Sequence, residues 1–147
     1  MTRRVRPAQV RFYIDADLLG LAKVLAQLRS DVTFPGDPGA ELKGKVRPAC
    51  VIRSADELDT SWIPKVAREG WVIVTRDRAI QDRIAELAAV REHGAKMVAL
   101  AGADSVDRWH QLEVFMCHWR RLDELPLEQA PFVYNLTRTR LRPIPLS

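Results

Sequence analysis

The sequence predicts an α/β fold, a mainly parallel sheet of about five strands covered on both faces by helices. Three observations carry that expectation. Short apolar runs at residues 10–15, 71–75 and 96–100 are each followed by helical periodicity, the alternation expected where crossover helices join parallel strands. The runs are nearly continuous rather than alternating, as strands buried on both faces are. Gly70 and Gly94 stand where helical stretches give way to strands, the usual place for a left-handed stop.

In chain order, residues 1–9 are polar and basic and contain Pro7, which suggests a short arm. Val10 to Asp15 is the first strand. From Leu18 the period changes, and Leu18, Leu21, Ala22, Leu25 and Leu28 share one helical face. Val32 to Phe34 is a minimal second strand. Pro35 to Pro48, rich in Gly and Pro, reads as a long surface loop, and Cys50 to Arg53 as a short extended segment. A helix over about Ser61 to Glu69 would hold Pro64 in its first turn. Trp71 to Thr75 is the next strand, followed by a helix over about Ala79 to His93 and a strand at Lys96 to Leu100. A long helix capped by Asp104 or Ser105 follows, with Val106, Trp109, Leu112, Phe115, Met116 and Trp119 as a wide apolar stripe. That stripe is explained by the core or by a homodimer surface. Phe132 to Leu136 is a fifth strand, and residues 137–147 form a basic tail.

The 147 residues, 47% of them hydrophobic, suffice for a single domain over 1–147. Cys50 and Cys117 lack the spacing of a disulfide framework or a zinc site. No apolar run is long enough to cross a bilayer and no signal-peptide core follows Arg3, Arg4 and Arg6, so a cytoplasmic protein without a membrane partner is expected. The net charge of +4 and the pI of about 9.4 permit a nucleic-acid partner without requiring one.

Ligands in open α/β sheets collect beyond the carboxyl ends of the strands, where strand order reverses. Asp15 and Asp77 both stand at such ends, with Asp17 and Thr75 beside them. If the two strands are neighbours, the carboxylates could share a cation, and oxygen-only ligands suit Mg²⁺ or Mn²⁺. Taken singly, Asp15, Asp17 and Asp77 are equally well placed to cap helices, and Asp17 is the better cap by position. His93, His110 and His118 are scattered on helices and read as surface or packing residues. Trp62 and Trp71 read as core residues rather than base-stacking platforms.

Ile14-Asp-Ala-Asp-Leu-Leu resembles the opening of PIN domains, in which the first strand ends in an acid. The stretch from Asp59 through Gly70 to Thr75-Arg-Asp77 looks like the PIN segment in which an acid opens a helix, a Gly ends it and the next strand closes on Thr-x-Asp. The likeness spans about Val10 to Leu100 and is greatest to VapC-type toxins. It implies a three-layer α/β/α PIN-like fold and a ribonuclease dependent on Mg²⁺ or Mn²⁺, with a small antitoxin that blocks the site. It implies metal-binding roles for Asp15, Asp59 and Asp77, a supporting role for Thr75 and a second-line role for Asp17. PIN domains often carry a further acid on a middle helix. Here that region offers Asp37, Glu41, Asp56 and Glu57, and Asp17 is a substitute. Arg76, Arg78, Lys43, Lys45, Arg47, Arg138, Arg140 and Arg142 are candidates to hold the RNA strand.

Two other readings stand beside this one. A PIN-like module without catalysis would bind RNA or protein through the same fold. Asp15-Ala-Asp17 with Thr75 also looks like the start of a haloacid-dehalogenase-type phosphatase, which needs a downstream Lys and a further acidic pair; Lys96 and Asp104 are the nearest residues to that requirement.

Overall fold

The computed structural model describes residues 4–76 and 80–146. In chain order the elements are β1 (Arg6–Pro7), β2 (Phe12–Ile14), α1 (Leu19–Leu28), β3 (Val32–Thr33), β4 (Ala40–Leu42), β5 (Lys45–Arg47), α2 (Asp59–Glu69), β6 (Val72–Arg76), α3 (Ile80–His93), β7 (Lys96–Leu100), α4 (Arg108–Cys117), α5 (Trp119–Leu122), β8 (Phe132–Leu136) and β9 (Leu141–Pro143). The main sheet has six strands in the order β3-β2-β6-β7-β8-β9. All of its pairings are parallel except β8 with β9.

The apolar runs form the centre of the sheet because their inner residues, Phe12 to Ile14, Val72 to Thr75 and Met97 to Leu100, are all buried. Phe12 and Ile14 pack on one face with Leu21 and Leu25 of α1 and Val114 and Phe115 of α4. Tyr13, between them, points to the other face and packs with Trp62, Ile63 and Val66 of α2 and Val90 of α3. The strand alternates in direction while staying wholly buried, which gives the expected three layers. The chain leaves β2 through α1 to β3 on one side, then returns through α2 to β6 on the other. The reversal of strand order therefore falls between β2 and β6.

Four expectations are corrected. The stretch from Pro35 to Pro48 is not an unstructured loop: β4 and β5 pair as an antiparallel hairpin, turned by Lys43 and Gly44, both at positive φ, as two-residue hairpin turns require. The basic arm is likewise structured where it is described, since β1 runs parallel to β5. The tail contributes β9 to the main sheet. The long helix near the C-terminus begins at Arg108, capped by Asp107, whose side chain accepts from the His110 amide. It ends at His118 before the short α5. Its stripe divides, with Phe115 buried and Val106, Trp109 and Met116 exposed. Two smaller differences concern α2 and residues 50–53. The helix begins at Asp59, so Pro64 lies beyond the first turn and removes a ladder bond. Residues 50–53 form no strand.

Candidate metal-dependent active site

Asp15 follows directly on β2. The parallel register sets Ile14 opposite Val74, and the Asp15 amide donates to the Val74 carbonyl at 2.9 Å. Thr75 is thereby brought beside Asp15 across sixty residues of sequence, and its hydroxyl donates to Asp15 Oδ2 at 2.9 Å. Both side chains are buried, Asp15 at 2% exposure and Thr75 at 0%. The other carboxylate oxygen accepts from the Ala16 amide at 2.6 Å, capping the turn Ala16–Leu18. The capping role and the strand-end role are thus combined in one side chain. Asp17 is exposed within that turn and does not cap it.

Asp59 opens α2, and its Oδ1 accepts from the Trp62 indole N–H at 2.9 Å, one helical turn on. Trp62 lies against Tyr13, with ring centroids 5.1 Å apart. Asp15, still extended just past the strand, is two residues from Tyr13, and it bonds Thr75, two residues from Ile73 of the α2-face cluster. Burial, followed by the charges of Asp15, Cys50, Glu57 and Asp59, pushes the Tyr13 phenol well above its usual range. Trp62 thus links the start of α2 to β2, bonding Asp59 while its ring packs on Tyr13. Glu57 lies there as well, and its carboxyl is held below the usual range chiefly by Lys65, with Ser61 donating to the same oxygen.

A family model described as a PIN like domain matches residues 10–102, more than half of the chain. The chain belongs to the PIN-like domain family. Comparison with curated proteins and with solved structures gave no match. The PIN-like fold is a nuclease-type fold, and PIN domains typically use divalent metals. The match begins at the first buried strand and ends just past β7, so it includes the reversal between β2 and β6, while α4, β8 and β9 lie beyond it.

Of the acids expected at a PIN-like site, Asp15 and Asp59 are connected through Tyr13 and Trp62, and Asp17 is exposed beside Asp15. Asp77 and Arg78 lie outside the described residues. Among the described residues, no group of three or more His, Cys, Asp or Glu side chains is gathered closely enough to hold a metal. Asp37 is no substitute for the middle acid. It is fully buried and receives two bonds from the Arg47 guanidinium, at 2.6 and 3.0 Å, with further bonds from the Thr33 hydroxyl and the Gly39 amide. Arg47 is buried with it, so it is not a surface contact for RNA. Glu41 is exposed on β4 and Asp56 is exposed ahead of α2.

The other cations separate by edge. Lys43 and Lys45 share a hollow with Gln9, Arg11 and Arg29 at the amino end of β2, the end away from Asp15. Arg76 donates to the Ser105 hydroxyl at 3.1 Å. Arg138 follows β8 at the carboxyl edge, where its amide bonds Asp104, and Arg142 lies on β9. Lys96 opens β7 at the opposite edge and donates to the Pro126 carbonyl, so the lysine needed for a haloacid-dehalogenase reading is misplaced. His118 bonds the Thr137 carbonyl and His110 pairs with Asp107. Trp62 and Trp71 are buried, and no disulfide joins Cys50 to Cys117. No helix among the described residues is long and apolar enough to cross a membrane. The Trp62 bond to Asp59 escaped the sequence reading, although their spacing of three on a helix was a signal for it.

Proposed function

We propose that this protein is a Mg²⁺- or Mn²⁺-dependent endoribonuclease, the cytoplasmic toxin of a toxin–antitoxin pair, blocked by a small partner protein. The observation that carries the reading is the bond from Thr75 to buried Asp15 at the reversal between β2 and β6. The ligand atoms on offer there are carboxylate oxygens, one of Asp15 already held by Thr75 and one of Asp59 by Trp62. That chemistry fits a hard divalent cation. Asp15, Asp59 and Asp77 would hold it, with Asp17 at the rim. The cation would neutralise charge on the phosphate and make water more acidic. Thr75 fixes the Asp15 carboxylate in one orientation by donating to Oδ2, and Ala16 does so from the other side. One of the acids accepts the proton of the attacking water.

The test is cleavage of an RNA by the purified full chain with Mg²⁺, with Mn²⁺ and with excess chelator. Cleavage is expected with either metal and lost with chelator. Asp15→Asn and Asp77→Asn should each lower turnover at least about a hundredfold, since even the supporting partners of metal ligands contribute 10–100-fold. Thr75→Val should fall within that supporting range. Undiminished cleavage in chelator would end the metal reading, and rescue of growth by a co-expressed antitoxin would support the pairing.

A further inference from the structure

The N-terminal turns of α1 and α4 meet at the edge of the sheet where Asp15 lies. Each helix follows the carboxyl end of a parallel strand, α1 after β2 and α4 after β7, and the two pack on the same face. Arg108 is the first residue of α4, and Gly20 is five residues past Asp15 in the first turn of α1. The Arg108 guanidinium lies directly on Gly20: a Cβ built there would stand 2.5 Å from Nε and 2.8 Å from Nη2. Any residue other than glycine would displace it. The exposed Arg108 guanidinium therefore lies in the space that a side chain at Gly20 would fill, at the site edge. Among the described residues, no salt bridge engages it.

A free arginine on a surface loses rotamer entropy when it binds, and a pre-positioned one loses less. Glycine in a helix is less favourable than alanine. Here its absence of side chain accommodates the planar guanidinium, whose fork geometry matches phosphate oxygens. Resting on the ribonuclease reading above, we infer that Arg108, seated on Gly20, binds a backbone phosphate of the RNA strand as it passes the acids. Arg76 is less suited to that task, because its Nε is committed to Ser105.

The test is binding of a labelled single-stranded RNA oligonucleotide to the full chain in chelator, from 50 to 200 mM salt, so that cleavage does not enter. Arg108→Ala should weaken binding about tenfold, as loss of a charge-assisted bond does. It should also reduce the log–log salt slope by about 0.7, the value for one phosphate contact on a single strand. Arg108→Lys should restore the slope but only part of the affinity. Gly20→Ala meets only the flexible end of Arg108, so it should fold and yet weaken binding as well; the double variant should be no worse than Arg108→Ala. Arg68→Ala, a charge lost from the far end of α2, should leave the slope unchanged. In cleavage assays Arg108→Ala should raise KM while kcat and metal titration stay as in the wild type. An Arg108→Ala slope equal to that of Arg68→Ala, or additive effects of Gly20→Ala and Arg108→Ala, overturns the inference while metal-dependent cleavage still stands. Absence of RNA binding by the wild type overturns both.

Discussion

Trp62 shows how much one atom can add to a core residue. Its ring is buried against Tyr13, as the apolar spacing of α2 predicts, but its indole N–H reaches out of that core to Asp59 Oδ1. One oxygen of the acid that opens α2 is thereby oriented by a donor rooted in the core. Trp62→Phe keeps the ring on Tyr13 and removes only the donor. Metal affinity, read by Mn²⁺ titration, should fall about 10–100-fold with the fold retained, as measured for other outer-shell donors. Trp71→Phe, a change in the same core away from Asp59, should leave the titration as in the wild type. Equal metal affinities for the two variants would reduce Trp62 to packing alone. Asp59 and Trp62 stood in the sequence at the right spacing, but a periodicity of apolar residues does not say where the polar tip of an aromatic ring points.

At the scale of elements, the sequence revealed most clearly what is buried on both sides. β2, β6 and β7 were legible as continuous apolar runs, α1 and α3 by their period, and the ends of α2 and α3 by Gly70 and Gly94, both at positive φ as helix stops. The hairpin β4–β5 was not legible. Glu41, Lys45 and Val46 are exposed and so show no alternation, and the other strand of its sheet is Arg6–Pro7, nearly forty residues earlier. Its Gly and Pro residues, which suggested a loop, are what the hairpin needs. Gly39, at φ +84, brings its Cα so near the Arg47 carbonyl that a Cβ would stand 2.3 Å from the oxygen. The hairpin is fastened to the body by the ion pair of Asp37 with Arg47, exposed by only 0% and 5%. Removing one partner leaves the other charge buried, so Arg47→Ala should destabilise the protein by about 3–5 kcal/mol. Urea unfolding checks this, and a loss below about 1 kcal/mol would show that water reaches Asp37 in the variant.

Across the whole molecule, the two ends of the parallel strands do different work. The carboxyl edge gathers Asp15, Thr75 and Arg108. The amino edge carries a structural network in which Arg11 and Arg29 both bond Asp31, and Arg29 also bonds Asp123 at the end of α5. It ties β2 and the end of α1 to the helical layer beyond. Sequence alone could place Asp15 and Thr75 at equivalent strand ends, since that follows from the βα rhythm. It could not place Asp31 with Asp123, because nothing local relates two acids in separate turns. Burial acts to raise the Asp31 pKa, but the bonds from Arg29 and Arg11 outweigh it and the carboxyl is held below its usual range. A folded pKa below the unfolded value means that Asp31 contributes stability above the unfolded value of about 3.9 and loses it as pH falls through the folded one. Glu57, also held low, acts in the same direction. Unfolding free energy should therefore be nearly level from pH 7 to 5 with respect to these groups and fall steeply below about pH 4. Asp31→Asn should lower stability at pH 7 and reduce the further loss between pH 5 and pH 3, measured by denaturant titration at each pH. An acid limb of the same depth in Asp31→Asn and wild type would show that the amino-edge network contributes nothing net, and that acid unfolding begins among the acids at the opposite edge.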